Sequence, residues 1–310
     1  MKTKNITEGA SLLGIYLLLL LMTLYVPVIG TVTLFALVVP FVLYTIRNGW
    51  KSGVWFVVAA NILSVLLGSI AALSLSIPMS TVGVVMGYLF AKKSSRYVIL
   101  GASTGVYLLN LLLGYIVAIV LFDFNIEKVM EGSMDQLYLT AESLATFTGQ
   151  QNTEETMGLV QETMDGFIYL LPSGLVTIAF IFALISQLVA GFILKRLKVD
   201  VTPFPPFREL ELPKSLLWYY LIVLLLSLFE MEKGSTIYLA TVNLSYILML
   251  LMTIQGLSFL FFISHEKKIP KAVPIITLIL SFLLPPLLYI IRMVGIFDIG
   301  FNLRKRIKGK

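Results

Sequence analysis

The sequence predicts an all-α protein, a polytopic bundle of eight to nine membrane-spanning helices, on three observations. Of its 310 residues, 58% are hydrophobic and 13% charged, with a mean hydropathy of +0.94. A soluble chain of this length carries more charge and interrupts its apolar runs. Apolar stretches near the roughly 20 residues that cross a bilayer recur along the whole chain. Lys and Arg gather in alternate connections between those stretches, the bias that orients spanning helices.

The expected segments are residues 9–26, 31–46, 52–70, 77–91, 97–122, 167–194, 215–229, 236–264 and 272–296. Lys2 and Lys4 precede the first as in a signal peptide, but no small-x-small cleavage site follows and further spans come at once. Residue 1 is therefore read as the start, and the first run as an uncleaved helix. With a cytoplasmic N-terminus, fifteen Lys and Arg fall in inner connections and two, Lys128 and Lys233, in outer ones. That bias sets an N-in topology for eight crossings. The ninth segment would carry the basic tail "RKRIKGK" outside. Two readings are open: a re-entrant hairpin at Pro285–Pro286 that returns the tail, or a local failure of the rule.

In the first segment Ala10 and Gly14 form a small-xxx-small stripe, and Gly83 with Gly87 and Gly101 with Gly105 repeat the spacing in the fourth and fifth. Such stripes let helix backbones approach closely where lipid supplies no hydrophobic driving force. They are expected to pack within the bundle or, for the first helix, against another subunit.

Asn61, Ser64, Tyr107, Asn110, Tyr115, Ser173 and Thr177 are polar groups inside apolar segments and need partners there. One reading is helix–helix hydrogen bonding. The other is an outward-facing substrate pocket drawing on Asn61, Asn110, Tyr115, Ser173 and Thr177. Arg292, beside the last apolar run, is expected to snorkel to headgroups.

Residues 123–166 carry nine carboxylates against Lys128. Apolar residues recur there at helical spacing, and "NTEE" at 152–155 has the form of a capped helix start, so two amphipathic helices are expected as an external insert. The chain then divides into a six-segment unit at 1–196, an elbow at 197–214, a second bundle at 215–296 and a basic tail at 297–310. The elbow holds "FPPFRELELP". Pro203, Pro205 and Pro206 forbid a continuous helix, while Phe204 and Phe207 can lie in the membrane interface with Arg208 reaching lipid phosphate. "RELEL" is read as a short strand for a partner or as a cap on the next helix. These residues are the expected cytoplasmic contact.

Composition also bounds the chemistry. With no Cys and one His there is no disulfide framework and no His cage, and no metal or other cofactor is expected. No His stands near a candidate Ser nucleophile, and no phosphate-cradling glycine loop occurs, so no enzyme and no nucleic-acid partner are expected. Between Gly9 and Phe122 there is no Asp or Glu, which disfavours a self-energised ion-coupled carrier.

The whole chain, through the elbow and the ending "GIFDIGFNLRKR", resembles the YybS-like membrane proteins of Gram-positive bacteria. Its first six segments are similar to the S-components of energy-coupling-factor (ECF) vitamin transporters. The likeness rests on the short second segment, the glycines of "RNGWKSG" and the Gly-rich fourth segment ending in "AKKSSR". The chain as a whole is read as a binding or transport protein for a small solute, uncharged or cationic, and the S-component likeness implies capture from outside. It further implies a partner transmembrane coupling protein with ATPases, docked on the small residues of helix one, where Ala10 and Gly14 match the spacing. The alternative is a membrane scaffold or regulator that docks a regulatory partner.

Overall fold

In the computed structural model, which describes residues 2–148 and 153–308, every regular element is helical. The helices are α1 (Lys2–Tyr25), α2 (Pro27–Ala36), α3 (Val38–Asn48), α4 (Trp50–Gly68), α5 (Leu73–Ala91) and α6 (Arg96–Phe122). They continue with α7 (Ile126–Thr148), α8 (Thr153–Arg196), α9 (Ser215–Leu226), α10 (Thr236–Glu266), α11 (Ala272–Leu283), α12 (Pro285–Phe301) and α13 (Leu303–Lys308).

The breaks have local causes. Pro27 opens α2 after extended Val26, and Gly49, at φ +80°, separates α3 from α4. Ser95 and Ser235 cap α6 and α10 by accepting hydrogen bonds from Val98 N and Tyr238 N. Three helices end alike: after α5, α8 and α10, the lysines Lys93, Lys198 and Lys268 take the left-handed conformation. The next residue's N–H then reaches back to Leu89 O, Leu194 O and Ser264 O respectively. This six-to-one closure satisfies carbonyls that a helix end leaves open, and a lysine in the turn lifts its charge towards the interface.

Seven helices among the described residues are long and apolar enough to cross a membrane, α2 and α3 forming one span, or eight if α11 and α12 count as one. Two expected segments differ. Residues 215–229 yield only the 12-residue α9, about 18 Å long against a hydrocarbon core of about 30 Å. Residues 272–296 yield two helices bent by 119° at the Pro285 break. Pro285 and Pro286 lack the N–H groups that would continue α11.

The chain folds into two compact units. Unit 1 comprises residues 1–126 and 175–204; unit 2 comprises 127–174 and 205–310. The seam at Phe204–Pro205 falls inside the elbow. The acidic insert groups with the C-terminal bundle rather than with the N-terminal helices that flank it, and α8 contributes to both units. The insert is helical, as its periodicity suggested, whereas the expected cap Asn152 lies outside the described residues.

Unit 1 has an aromatic centre, Tyr16 edge-on to Phe41 and Phe41 edge-on to Phe56, all buried. Tyr16 Oη lies 2.8 Å from Ser64 Oγ and 2.5 Å from Ser76 Oγ, which ties α1 to α4 and α5. In unit 2 the tightest contact is α10 against α12. A Cβ built on Gly256 would lie 1.9 Å from Ile291 O, and one on Gly295 2.1 Å from Met252 O, so the two backbones touch.

The tail's position follows within unit 2. Arg304 Nη1 donates to Arg208 O at 2.7 Å, so the tail lies at the elbow's end of the unit. His265 and Lys268, at the end of α10, share a cavity with Phe207 and Arg208 and mark the same end. The chain leaves this end along α11 and returns to it along α12. Of the two open readings the geometry is that of the re-entrant hairpin.

Candidate functional site

Arg96 opens α6 but turns inward, 5% exposed, although the lysines before it in "AKKSSR" are exposed. Its guanidinium carbon sits 4.6 Å from the ring centre of Phe90 and 5.7 Å from that of Phe204, and Nε donates to Thr202 O at 2.6 Å. Gly191 makes the room, since a Cβ there would lie 2.7 Å from Nη2. Gln187, fully buried one turn earlier on α8, donates from Nε2 to Arg96 O at 3.0 Å.

Two atoms of this arrangement are buried with no hydrogen-bond partner: Arg96 Nη1 and Gln187 Oε1. Both side chains line a cavity of about 460 Å³ that Lys195, Phe192, Val201 and Phe204 also wall. A buried cation is ordinarily paired, and an unmade bond there costs more than a neutral one. The one carboxylate in the wall, Asp200, is engaged elsewhere: Lys93 Nζ donates to it at 2.8 Å. That exposed hydrogen bond, with the charge behind it, lowers the pKa of Asp200 below the usual carboxylate range and raises that of Lys93. The cavity is thus lined, between aromatic walls, by a guanidinium and an amide that each keep one buried polar atom without a partner. Sites for small organic molecules are built in this way.

None of the five residues expected to bind substrate lines this cavity. Asn61 Nδ2 donates to Val57 O at 2.8 Å and to Ser80 Oγ at 3.2 Å. Asn110 Nδ2 donates to Val106 O at 2.7 Å and to Thr81 Oγ1 at 3.1 Å. Both amides thereby link their helices to α5. Tyr115 is 41% exposed and edge-on to Phe124. Ser173 N, in unit 2, donates to Asn243 Oδ1 at 2.8 Å, and Thr177 is half-buried on α8 in unit 1. A bilayer offers such groups no water, and the two asparagine amides settle on a neighbouring carbonyl and hydroxyl. Helix–helix bonding is what the amides display.

Of the small-residue pairs, Gly83 and Gly87 sit against α3. Added Cβ atoms would lie 2.5 Å from Phe41 Cβ and 2.7 Å from Thr45 Cβ. Gly101 and Gly105 pack against nothing, with no atom within 4 Å of an added Cβ, which corrects the expectation for that pair. Ala10 and Gly14 lie on an exposed face of α1, likewise open at Gly14.

The elbow residues fold onto their own units. Phe204 packs on Arg96 and, edge-on at 6.2 Å, on Tyr97. Phe207, 42% exposed, is edge-on to Phe261 at 5.5 Å. "RELEL" forms neither of the expected arrangements: Phe207–Glu209 is a 3₁₀ turn, and Leu212 N is taken by Gln255 Oε1 at 2.9 Å.

Sequence reasoning missed Arg96, Gln187 and Gly191 in unit 1, and in unit 2 a second buried arginine. Arg304, 4% exposed, donates from Nε to Asp298 Oδ2 at 2.9 Å and from Nη2 to Ser258 Oγ at 3.0 Å. Gln255 Nε2 donates to the same Asp298 oxygen at 2.6 Å. Arginine rather than lysine inside a basic run was the available signal, because a planar, weakly hydrated fork tolerates burial better than an ammonium. Arg292 stands over the Tyr289 ring at 5.1 Å with Nε buried and unpartnered.

Residues 14–299 match the family model described as "Predicted membrane protein (DUF2232)". The chain is 34% identical over 308 residues, 99% of both chains, to "Uncharacterized protein YybS" of Bacillus subtilis (strain 168). No solved structure matches.

Proposed function

The chain belongs to this family of predicted membrane proteins, and from that premise we propose that it is a non-enzymatic binding protein for a small solute, serving transport. The observation that carries the reading is that two side chains lining one cavity, Arg96 and Gln187, each keep a buried polar atom, Nη1 and Oε1, without a partner. Together they select a molecule that sets an anionic or carbonyl oxygen beside an N–H or O–H donor. The expectation of an uncharged or cationic solute gives way in this reading to that chemistry. A coupling partner in the membrane is supported by the open stripe at Ala10 and Gly14. Leu12, beside it, is buried in the core, and Leu13 and Leu17 pack on that core.

The test is mass spectrometry of the full-length protein taken from its native membrane in mild detergent. Wild-type protein should carry a stoichiometric small molecule that Arg96→Met and Gly191→Ala lose and that Asn110→Leu keeps. The site is wrong if Asn110→Leu loses the molecule while Arg96→Met retains it. Wild-type protein that arrives empty refutes solute binding altogether.

A further inference from the structure

We propose that unit 2 carries a second, independent site: a basic cavity at its elbow end that holds the phosphate headgroup of an anionic phospholipid. The cavity is about 450 Å³ in volume. Arg208, His265, Lys268 and Lys271 line it, and among the described residues no carboxylate does. The nearest anion to Arg208 is its own neighbour Glu209, at 4.0 Å and exposed. Phosphodiester recognition calls for such a surplus of donors without competing acceptors.

The site is built by the fold rather than strewn over a surface. The closure that ends α10 puts Lys268 in the left-handed conformation, with Ile269 N held by Ser264 O at 2.8 Å. The chain then turns at Pro270 into the first turn of α11, whose partial positive end adds to the field. The 3₁₀ turn of the elbow closes the remaining side with Arg208, its backbone fixed through Arg304 Nη1.

Location decides between a lipid and a free anion. α10 is a full apolar span and α11 starts an apolar hairpin, so the cavity lies where hydrocarbon meets water. Basic pockets of this kind between membrane helices take acidic headgroups. The wall is apolar on the membrane side: Ile275 lines the cavity and is also 45% exposed, placing acyl chain against α11 while phosphate meets the lysines. Inorganic phosphate satisfies the lysines alone and leaves that contact unmade.

The experiment titrates full-length detergent-solubilised protein with phosphatidylglycerol, phosphatidylcholine or inorganic phosphate and counts bound molecules by native mass spectrometry. One phosphatidylglycerol should bind in preference to phosphatidylcholine. The exposed pair Lys268→Gln and Lys271→Gln, taken together, should weaken it about thirty-fold, the combined effect of two interfacial lysines. Lys233→Gln, outside the cavity, should leave it unchanged. Arg208→Gln, made separately, should weaken it by about five-fold or more. Thermal unfolding of each variant at the wild-type temperature confirms an intact fold. Equal binding of the two lipids, retention of phosphatidylglycerol by the double variant, or inorganic phosphate bound as tightly as the lipid would each overturn the proposal.

Discussion

Each unit buries one arginine, and the two are finished differently. In unit 2, Arg304 meets Asp298 at 2.9 Å, Arg208 O at 2.7 Å and Ser258 Oγ at 3.0 Å, with Phe259 and Phe262 beside it. In unit 1, Arg96 has comparable burial and the same aromatic company, yet among the described residues its one hydrogen-bond acceptor is Thr202 O and Nη1 stays unpartnered. Completed charge is what a clasp needs. Incomplete charge beside a cavity is what a receptor needs. On the proposed function, the difference separates a residue that holds unit 2 together from one that meets a solute.

The sharpest way to break this contrast is to remove each cation in turn and follow thermal unfolding in detergent. Arg304→Met strands the Asp298 carboxylate, and Asp298→Asn strands the guanidinium; each should cost about 3–5 kcal/mol, the usual penalty for half of a buried pair. The double variant Arg304→Met with Asp298→Leu should recover most of that loss. Arg96→Met strands no carboxylate, so stability should move by about 1 kcal/mol or less while the bound solute is lost. A large destabilisation by Arg96→Met would make it a second clasp.

A smaller effect tests what positions the clasp. Gly256→Ala puts a methyl against Ile291 O and should cost about 1–3 kcal/mol, the range for overpacking a tight contact. Gly101→Ala meets open space and should be neutral or slightly stabilising, since alanine is the better helix former.

The smallest effect concerns Lys93 and Asp200, which are exposed, Asp200 sharing the cavity wall with Arg96. Asp200 has its pKa depressed in the folded protein, so its contribution exists above the unfolded carboxylate pKa and is lost as pH falls below about 4. Lys93 is raised, so its share is complete below the unfolded lysine pKa and is lost only in strongly alkaline solution. Between those limits Asp200→Asn should leave the unfolding temperature flat with pH and close to wild type. Solute release on acidification to pH 5 would therefore point away from this pair.

How much of this could be read in the residues follows from distance along the chain. Helices, their caps and the membrane class are local properties, and the apolar runs with Ser95, Ser235 and Pro285 carried them. The paired glycines were legible as a spacing, but only the facing helix decides that Gly83 is crowded and Gly101 open. The candidate site was not legible. Arg96, Gln187, Gly191 and Phe204 come from three separate places in the chain, and no one of them is unusual alone. The basic run that contains Arg96 read only as an inner connection, because charge in sequence does not say which cation turns inward. Arg208 was expected to meet lipid phosphate, and its place beside three further basic side chains could be seen only once the end of α10 folded back to the elbow.

The helix α8 has a bearing on heredity. It gives its first part to unit 2 and its remainder to unit 1, so the chain alternates between the units instead of completing one before the next. Asn243 records the debt, since Tyr169 O and Ser173 N, its partners from α8, are encoded well upstream of the elbow. A gene cut at the proline seam would leave that asparagine without either. The two units therefore could not have been joined by a simple end-to-end fusion of ready-made modules, nor can recombination at the elbow exchange one without damaging the other.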